Sequence, residues 1–200
     1  MKYVLFSLIN FKYFIVNSPE IKIITTFNQL KEVKNLQSKN LKDNLSSTIK
    51  SNDGFLTASY SISFLKSITK KSPSIIAVVE GEIVGYLLAS TKKLTEGNEF
   101  LKNLIMKINR KFYKSKQLSK FDFIIVAQLC VASSHRAQGI VKKMYTLFKN
   151  KYSSIYPFCL TVVDLENKRS IRAHLNVGFK IIDSIKMENS EAVIIIWEWH

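Results

Sequence analysis

The sequence is poor in the residues that build disulfide frameworks and metal sites, with only 2 cysteines and 3 histidines among its 200 residues. Two cysteines give no disulfide framework, and scattered histidines give no ligand spacing, so we expect neither a structural bridge nor a metal site. Cys130 and Cys159 stand in apolar stretches and are typical of small buried hydrophobic residues. We expect such a chain in the cytoplasm.

Acidic residues are scarce as well, because 15 Asp and Glu stand against 30 Lys and Arg, for a formal net charge of +15. Such an excess favours a nucleic-acid partner. The basic residues are nevertheless spread through nearly every segment, and no nucleic-acid-binding motif is present, so we expect no specific nucleic-acid partner. A basic nucleic-acid-binding protein remains an alternative that rests on charge alone.

The chain also lacks a long uninterrupted hydrophobic run. Residues 3–16 are apolar, but Asn10 and Lys12 interrupt them, and no small-residue cleavage site follows. A membrane span needs about 20 apolar residues, so we expect no membrane partner. We interpret residues 1–20 as an N-terminal extension, either an added strand or a mobile arm, with a membrane anchor as the alternative, and residues 21–200 as one domain.

Hydrophobic periodicity across that domain predicts an α/β fold in the order β α α β β (α) β α β α β β. Residues 43–54 are polar and predict turns, whereas Leu101, Leu104, Ile105, Ile108 and Phe112 predict an amphipathic helix inserted within residues 91–120. The strands are predicted at 21–25, 74–79, 83–89, 121–131, 158–163, 179–185 and 192–197, and the other helices at 27–36, 62–68, 138–152 and from 167 onward.

The most informative segment is 129–143, which runs from an apolar strand through a polar bend into a helix. The first turn of such a helix has free backbone N–H groups and the positive end of the helix dipole. Gly139 would let a phosphate approach the backbone closely. The segment therefore predicts an anion-binding loop.

A second segment, 167–179, predicts a capped helix. Asn167 suits the N-cap, and Gly178 suits the C′ position, where φ is positive. Ile171, His174 and Leu175 share one face at i, i+3 and i+4, which is typical of the buried side of a helix.

Together the two segments resemble the GNAT acyl-CoA-dependent N-acetyltransferases, which have Arg-x-x-Gly-x-Gly/Ala after a strand, then Asn-x-x-Ala/Ser and Gly-Phe at a later helix. Within that superfamily the chain is similar to a group of uncharacterised bacterial GNAT proteins, and the resemblance covers about residues 21–200. The matching segments are 54–57, 84–86, 127–131, 136–139, 167–174 and 197–199.

The resemblance implies a mixed, strongly curved sheet of six to seven strands flanked by helices, with acetyl-CoA as cosubstrate and no metal. It also implies that the central strand separates from its neighbour and leaves backbone groups free for pantetheine. The positions that match the family's CoA-binding residues are Leu129, Cys130, Val131, Arg136, Ala137, Gln138, Gly139, Ile140, Val141, Lys142 and Asn167. Val141 departs from the pattern, which has Gly or Ala there.

The residue seven positions after Asn167 is Tyr in many superfamily members and His174 here. By resemblance His174 is the proton donor to the CoA thiolate, and an imidazole with a pKa near 6.5 exchanges protons readily at neutral pH. The alternative is a core histidine on the buried helix face. The general base stays open, because Gln128 stands where family members often have a carboxylate; Asp122, Asp164 and a water relay are substitutes.

These implications predict an N-acetyltransferase that moves an acetyl group from acetyl-CoA to a primary amine of a small molecule by direct attack. One alternative is a protein N-acetyltransferase, which needs an open groove that residues 91–120 could close. Another is a non-catalytic acyl-CoA-binding regulatory module. The sequence does not identify the acceptor. It also leaves the oligomeric state open, and a homodimer is one of the states it allows.

Overall fold

A seven-stranded mixed sheet lies at the centre of the computed structural model, which describes residues 18–188 and 190–199. Its strands run in the order β1-β2-β3-β6-β7-β9-β8, and β4 and β5 form a separate small hairpin. All neighbours in the large sheet are antiparallel except β6 and β7. The bounds are β1 Glu20–Ile23, β2 Ile75–Val79, β3 Glu82–Ser90, β4 Phe112–Tyr113, β5 Lys116–Gln117, β6 Ile124–Val131, β7 Phe158–Asp164, β8 Lys180–Lys186 and β9 Glu191–Glu198.

Seven α-helices accompany the strands in this part of the chain, and polar caps mark where most of them begin. Thr26 and Gln29 form a capping box at α1, and Ser61 and Asn98 cap α3 and α5. The bounds are α1 Phe27–Lys39, α2 Ser47–Asp53, α3 Ile62–Lys71, α4 Lys92–Thr95, α5 Glu99–Asn109, α6 Ile140–Tyr152 and α7 Lys168–Leu175.

The helices cover both faces of the sheet. Side chains alternate along β3, so that Tyr86 and Leu88 belong to the apolar core beneath α1, α3 and α5. Leu87 and Ala89 belong to the core beneath α6 and α7. The predicted α/β class and the sheet flanked by helices are confirmed.

The feature that positions the site is the separation of β6 from β7. The two strands pair only at Ile124 with Cys159 and at Ile125 with Leu160. Opposite β3, the register shifts so that Ala127 is an extra residue on β6. Beyond this bulge β6 stays bonded to β3 but no longer to β7, as the resemblance implies. A channel therefore opens between the two strands.

Three sequence predictions of local structure are wrong. Residues 43–54 are not all turn, because they contain most of a 3₁₀ turn at 42–44 and the whole of α2. Phe112 matches the helical spacing but lies beyond α5 with 61% of its surface exposed, in a hairpin whose turn residues Lys114 and Ser115 have φ values of 47° and 62°. The central strand starts at Ile124 rather than at residue 121, because a 3₁₀ turn occupies 118–120.

The predicted N-terminal extension falls mostly on residues 1–17, which lie outside the described residues. The first strand begins at Glu20, one residue before its predicted start. Cys130 and Cys159 are buried and unbridged, as expected of small core residues. No helix in the described ranges is long and apolar enough to cross a membrane. The same ranges hold no group of three metal-ligating side chains.

Candidate active site

The predicted anion-binding loop connects β6 to α6. After a 3₁₀ turn at Ser133–His135, Ala137 and Gly139 both have positive φ, at 62° and 74°, and α6 begins at Ile140. Left-handed residues in such a turn aim successive amides into one concavity. The backbone amides of residues 137–142 donate to no described oxygen atom. The loop therefore presents a row of free N–H donors at the N-terminus of a helix.

A cavity of about 530 Å³, called here the loop cavity, lies against these amides. Every residue that the sequence assigned to CoA binding lines it except Gln138, whose side-chain amide donates to the Ser134 carbonyl at 3.2 Å. Burial raises the pKa of the Cys130 thiol to about 12, so this lining group is neutral at pH 7. The other lining residues come from 53–56, the outer face of α7, and Asn40 and His135.

Arg136 fixes the entrance to the loop. Its Nε donates to the Val131 carbonyl at 2.9 Å, and its Nη2 donates to Asn40 Oδ1 at 2.8 Å. Its Nη1 lies 3.6 Å from an Asp53 carboxylate oxygen. Only 14% of the side chain is exposed. Arg136 therefore ties the end of β6 to the ends of α1 and α2 and holds the loop in place.

Asn167 joins α7 to residues 54–56, the segment that crosses the channel between β6 and β7. Its Oδ1 accepts from the Ser170 amide at 3.2 Å, which confirms the predicted N-cap, and its Nδ2 donates to the Phe55 carbonyl at 2.7 Å. Gly54 has a φ of 74°, and a Cβ there would lie 2.6 Å from Asn167 Oδ1. The contact requires glycine at this position. Residues 54–56 are thereby held across the channel.

The other end of α7 is closed by Gly178. Its amide donates to the Leu175 carbonyl at 3.0 Å, and the Phe179 amide donates to the His174 carbonyl at 3.2 Å. This pair of bonds is the Schellman pattern with Gly178 at C′ and a φ of 119°. The predicted cap is confirmed.

A second cavity of about 510 Å³, called here the roofed cavity, lies on the other side of the crossing segment. Its walls are the facing residues of β6 and β7, and its roof is α5 together with Met187, Glu188 and Ser190 between β8 and β9. It adjoins the loop cavity, since five residues line both: Phe55, Leu56, Leu129, Asn167 and Ser170.

Gln128 stands in the wall of the roofed cavity and is held by three hydrogen bonds. Its Oε1 accepts from Gln37 Nε2 and from the Tyr86 hydroxyl, both at 2.7 Å, and its Nε2 donates to the Ala58 carbonyl at 2.7 Å. The network binds β6 to α1, β3 and the segment before α3. Gln128 therefore shapes the cavity and cannot accept a proton.

His174 lines the roofed cavity and is 2% exposed. Its Nδ1 lies 2.7 Å from the Ser170 carbonyl, which can only accept, so the ring proton is assigned to Nδ1. Nε2 is buried without a hydrogen-bond partner among the described atoms. Burial lowers the pKa of His174 to about 4. At neutral pH the ring is neutral, and Nε2 has a free lone pair.

Of the carboxylates considered as a base, Asp164 lines the roofed cavity and Asp122 lines neither cavity. Asp164 is 9% exposed, and its Oδ1 accepts from the Glu166 amide at 2.9 Å. Its Oδ2 lies 4.0 Å from Lys42 Nζ. Asp164 is thus the buried carboxylate of this cavity.

Sequence reasoning missed several lining residues. Asp53 and Asn40 reach the loop cavity only through tertiary contacts, which no local pattern indicates. Arg169 and Arg172 on α7 and Asn176 just after it line the same cavity at i, i+3 and i+7. That spacing was a signal available in the sequence, since it places three polar side chains on one helix face.

No protein-family model matches the sequence, and no curated protein matches it. The fold, in contrast, has many counterparts among solved structures. NAA60 of Arabidopsis thaliana in complex with acetyl-CoA has a TM-score of 0.62 at 14% identity, covering 91% of this chain and 100% of its own. A GNAT-family acetyltransferase from Streptococcus agalactiae has a TM-score of 0.62 at 10% identity, covering 91% and 96%.

The chain has the GNAT fold. The ribosomal-protein-S18-alanine N-acetyltransferase of Escherichia coli shares it, with a TM-score of 0.59 at 9% identity over 90% of this chain and 94% of that one. At these identities the likeness shows the fold alone. In GNAT terms the loop cavity lies at the β6–α6 motif that the sequence resembled. The closer similarity to a bacterial GNAT group stays a prediction, since no sequence relative bears on it.

Proposed function

We propose that this chain is an acetyl-CoA-dependent N-acetyltransferase that acts on a primary amine of a small molecule. The observation that carries the proposal is the row of free backbone amides along residues 137–142, which all line a cavity at the N-terminus of α6 except Gln138. Ile140 is buried and Val141 is half-buried, so their N–H groups need an acceptor, and the helix terminus favours an anionic one.

The loop cavity fits CoA by the chemistry of its donors. The amides and the helix dipole would hold the pyrophosphate. The edge of β6 from Leu129 to Val131, apart from the Val131 carbonyl that already accepts from Arg136 Nε, would pair with the pantetheine amides. Val141 does not obstruct this role, because amide donors are independent of the side chain. Acetyl-CoA supplies the acetyl group as a thioester when it is bound.

Leu129, which lines both cavities, and His174, which lines the roofed cavity, would carry the chemistry. A β6 amide near Leu129 would donate to the thioester oxygen as negative charge develops there. Free Nε2 of His174 would accept a proton from the attacking amine and return it to the CoA sulfur as the carbon–sulfur bond breaks. His174 would thus still be the proton donor to the thiolate, although its neutral ring must first receive that proton.

The roof over the second cavity supports a small acceptor. Helix α5 and the β8–β9 connection line this cavity where a protein substrate would need an open groove. Asp164 would attract the cationic form of the amine before it loses its proton. We further propose a cytoplasmic location and no specific nucleic-acid partner, on the grounds of thiol usage and scattered charge.

Thermal unfolding with and without acetyl-CoA or CoA tests binding. Each ligand at about 100 times its Kd should stabilise the folded state by about 2.7 kcal/mol. No shift with either ligand would contradict the proposal. Acetyl-CoA consumption should then be measured with small primary amines and, in parallel, with short peptides that have free N-termini.

Turnover with small amines alone supports the proposed acceptor class. Turnover with peptides alone would replace it with a protein N-acetyltransferase. A thermal shift without turnover on either panel would favour a non-catalytic acyl-CoA-binding module.

A further inference from the structure

The outer face of α7 gives the loop cavity more positive charge than a pyrophosphate requires. Arg169 and Arg172 line this cavity beside Arg136 and Lys142, while Asp53 is the one carboxylate in its described lining. From this excess, and resting on the proposed function, we propose that Arg172 and Arg169 form a second phosphate subsite that recognises the 3′-phosphomonoester of CoA.

Arg172 is the clearest element of this subsite. Its side chain is exposed, and its guanidinium makes no hydrogen bond or ion pair with any described group. The Asp53 carboxylate is shared between two other arginines, at 3.6 Å from Arg136 Nη1 and 3.5 Å from Arg169 Nη1. The charge of Arg172 is therefore available to a ligand.

The loop before α6 and the α7 side of the loop cavity offer different donors, and each suits a different phosphate group of CoA. The pyrophosphate is accommodated by backbone amides at the start of α6, which need no side-chain charge. A phosphomonoester carries a charge of about −1.5 to −2 at pH 7 and three acceptor oxygens. Guanidinium groups match such oxygens with paired N–H donors. The α7 wall thus suits the monoester, and the loop suits the diester-like pyrophosphate.

Calorimetric titration with CoA and with dephospho-CoA tests the subsite, because the two ligands differ only in the 3′-phosphate. Wild type should bind CoA about tenfold to a hundredfold more tightly than dephospho-CoA. Arg172→Gln should reduce this ratio to about threefold or less and leave the dephospho-CoA affinity unchanged.

Lys168→Gln is the matched control. It removes one positive charge from the same helix at a position that does not line the loop cavity, so the ratio should stay at the wild-type value. Arg172→Gln should retain the wild-type melting temperature, because the side chain is exposed.

Equal wild-type affinity for the two ligands would overturn the subsite and leave the proposed function intact. The subsite is likewise overturned if Arg172→Gln weakens both ligands by one factor, or if Lys168→Gln lowers the ratio as much as Arg172→Gln. Binding of neither ligand by the wild type would overturn the proposed function, and the subsite with it.

Discussion

The two cavities that meet at Leu129 obtain their polar groups from different sources. The loop cavity presents free backbone amides and arginine side chains, so it has hydrogen-bond donors available to a ligand. In the roofed cavity Gln128 is already bonded within the protein, and Nε2 of His174 is left without a partner among the described atoms. The first cavity is therefore suited to binding a fixed ligand, and the second to selecting an acceptor by shape and moving a proton.

The strongest way to break this comparison is to disable the loop cavity alone. Gly139→Asp places a carboxylate against the expected pyrophosphate, and CoA affinity should fall by at least about a hundredfold. Gly81→Asp is a close control, because Gly81 has a φ of 86° and, as at Gly139, a Cβ added there would meet no described atom within 4 Å, yet it lies in the β2–β3 turn. Calorimetric titration measures both variants.

Unchanged CoA binding by a folded Gly139→Asp protein would remove the loop from the site. A similar loss in both variants would instead assign the effect to backbone strain, since both residues have positive φ.

A change confined to the roofed cavity should lower turnover and leave CoA affinity nearly unchanged, in contrast to Gly139→Asp. His174→Ala should lower turnover by about 10² to 10⁴, the usual contribution of a positioned proton-transfer group, with little change in CoA affinity. His174→Tyr should recover part of the activity, because a phenol can also exchange a proton. Turnover of His174→Ala equal to wild type would return His174 to the role of a core histidine.

The pH dependence of stability sharpens the contrast, because His174 is buried as a neutral group. The unfolded chain takes up its proton near pH 6.5, whereas burial lowers the pKa in the folded protein to about 4. The contribution of neutral His174 to the free energy of unfolding is fully present above pH 6.5. It should decline by about 3 kcal/mol as the pH falls to 4, because the unfolded chain binds a proton there that the folded protein does not.

Urea unfolding of wild type and His174→Phe at a series of pH values isolates this contribution. The phenyl ring does not titrate, so the variant should show a shallower decline between pH 6.5 and 4. Parallel curves for the two proteins would show that His174 is protonated at its ordinary pKa in the folded chain.

The smallest expected effect concerns the Gln128 network. Tyr86→Phe removes one of the two donors to Gln128 Oε1 and should cost about 1 kcal/mol of stability. Tyr152→Phe removes a bond of 2.8 Å to the Pro73 carbonyl, away from both cavities, and should cost a similar amount. Only Tyr86→Phe should raise the acceptor KM, and equal KM values would show that the network is not part of the acceptor site.

The parts of the site that follow from local sequence were predictable. Asn167 caps its helix and Gly178 ends it, because capping depends on residue type and φ within a few positions. Gly139 occupies the N-cap of α6 with a φ of 74°, and the sequence predicted the start of this helix two residues early, at residue 138. The order of the seven sheet strands and of α1, α3, α5, α6 and α7 also followed, since alternation and helical spacing differ clearly there, whereas α2, α4 and the β4–β5 hairpin were not predicted.

The parts that depend on distant contacts were not predictable. Arg136 was expected at the entrance of the phosphate site, but its bonds to Asn40 and its proximity to Asp53 require α1 and α2 to pack there. The neutral state of His174 depends on burial beside Tyr145 and Phe179, whose ring centroids lie 5.7 and 5.2 Å away. Neither the contacts of Arg136 nor the burial of His174 can be read from the spacing of residues in the sequence.

The separation of β6 from β7 divides the sheet into two halves, β1-β2-β3-β6 and β7-β9-β8, which share only two paired positions in the ladder. Each half has its own antiparallel ladder, so amide hydrogen exchange should distinguish two cooperative units. A ligand threaded between the strands occupies the place of the missing ladder. It would then couple the opening of the two halves, and slowed exchange would extend across the whole sheet rather than remain beside the ligand.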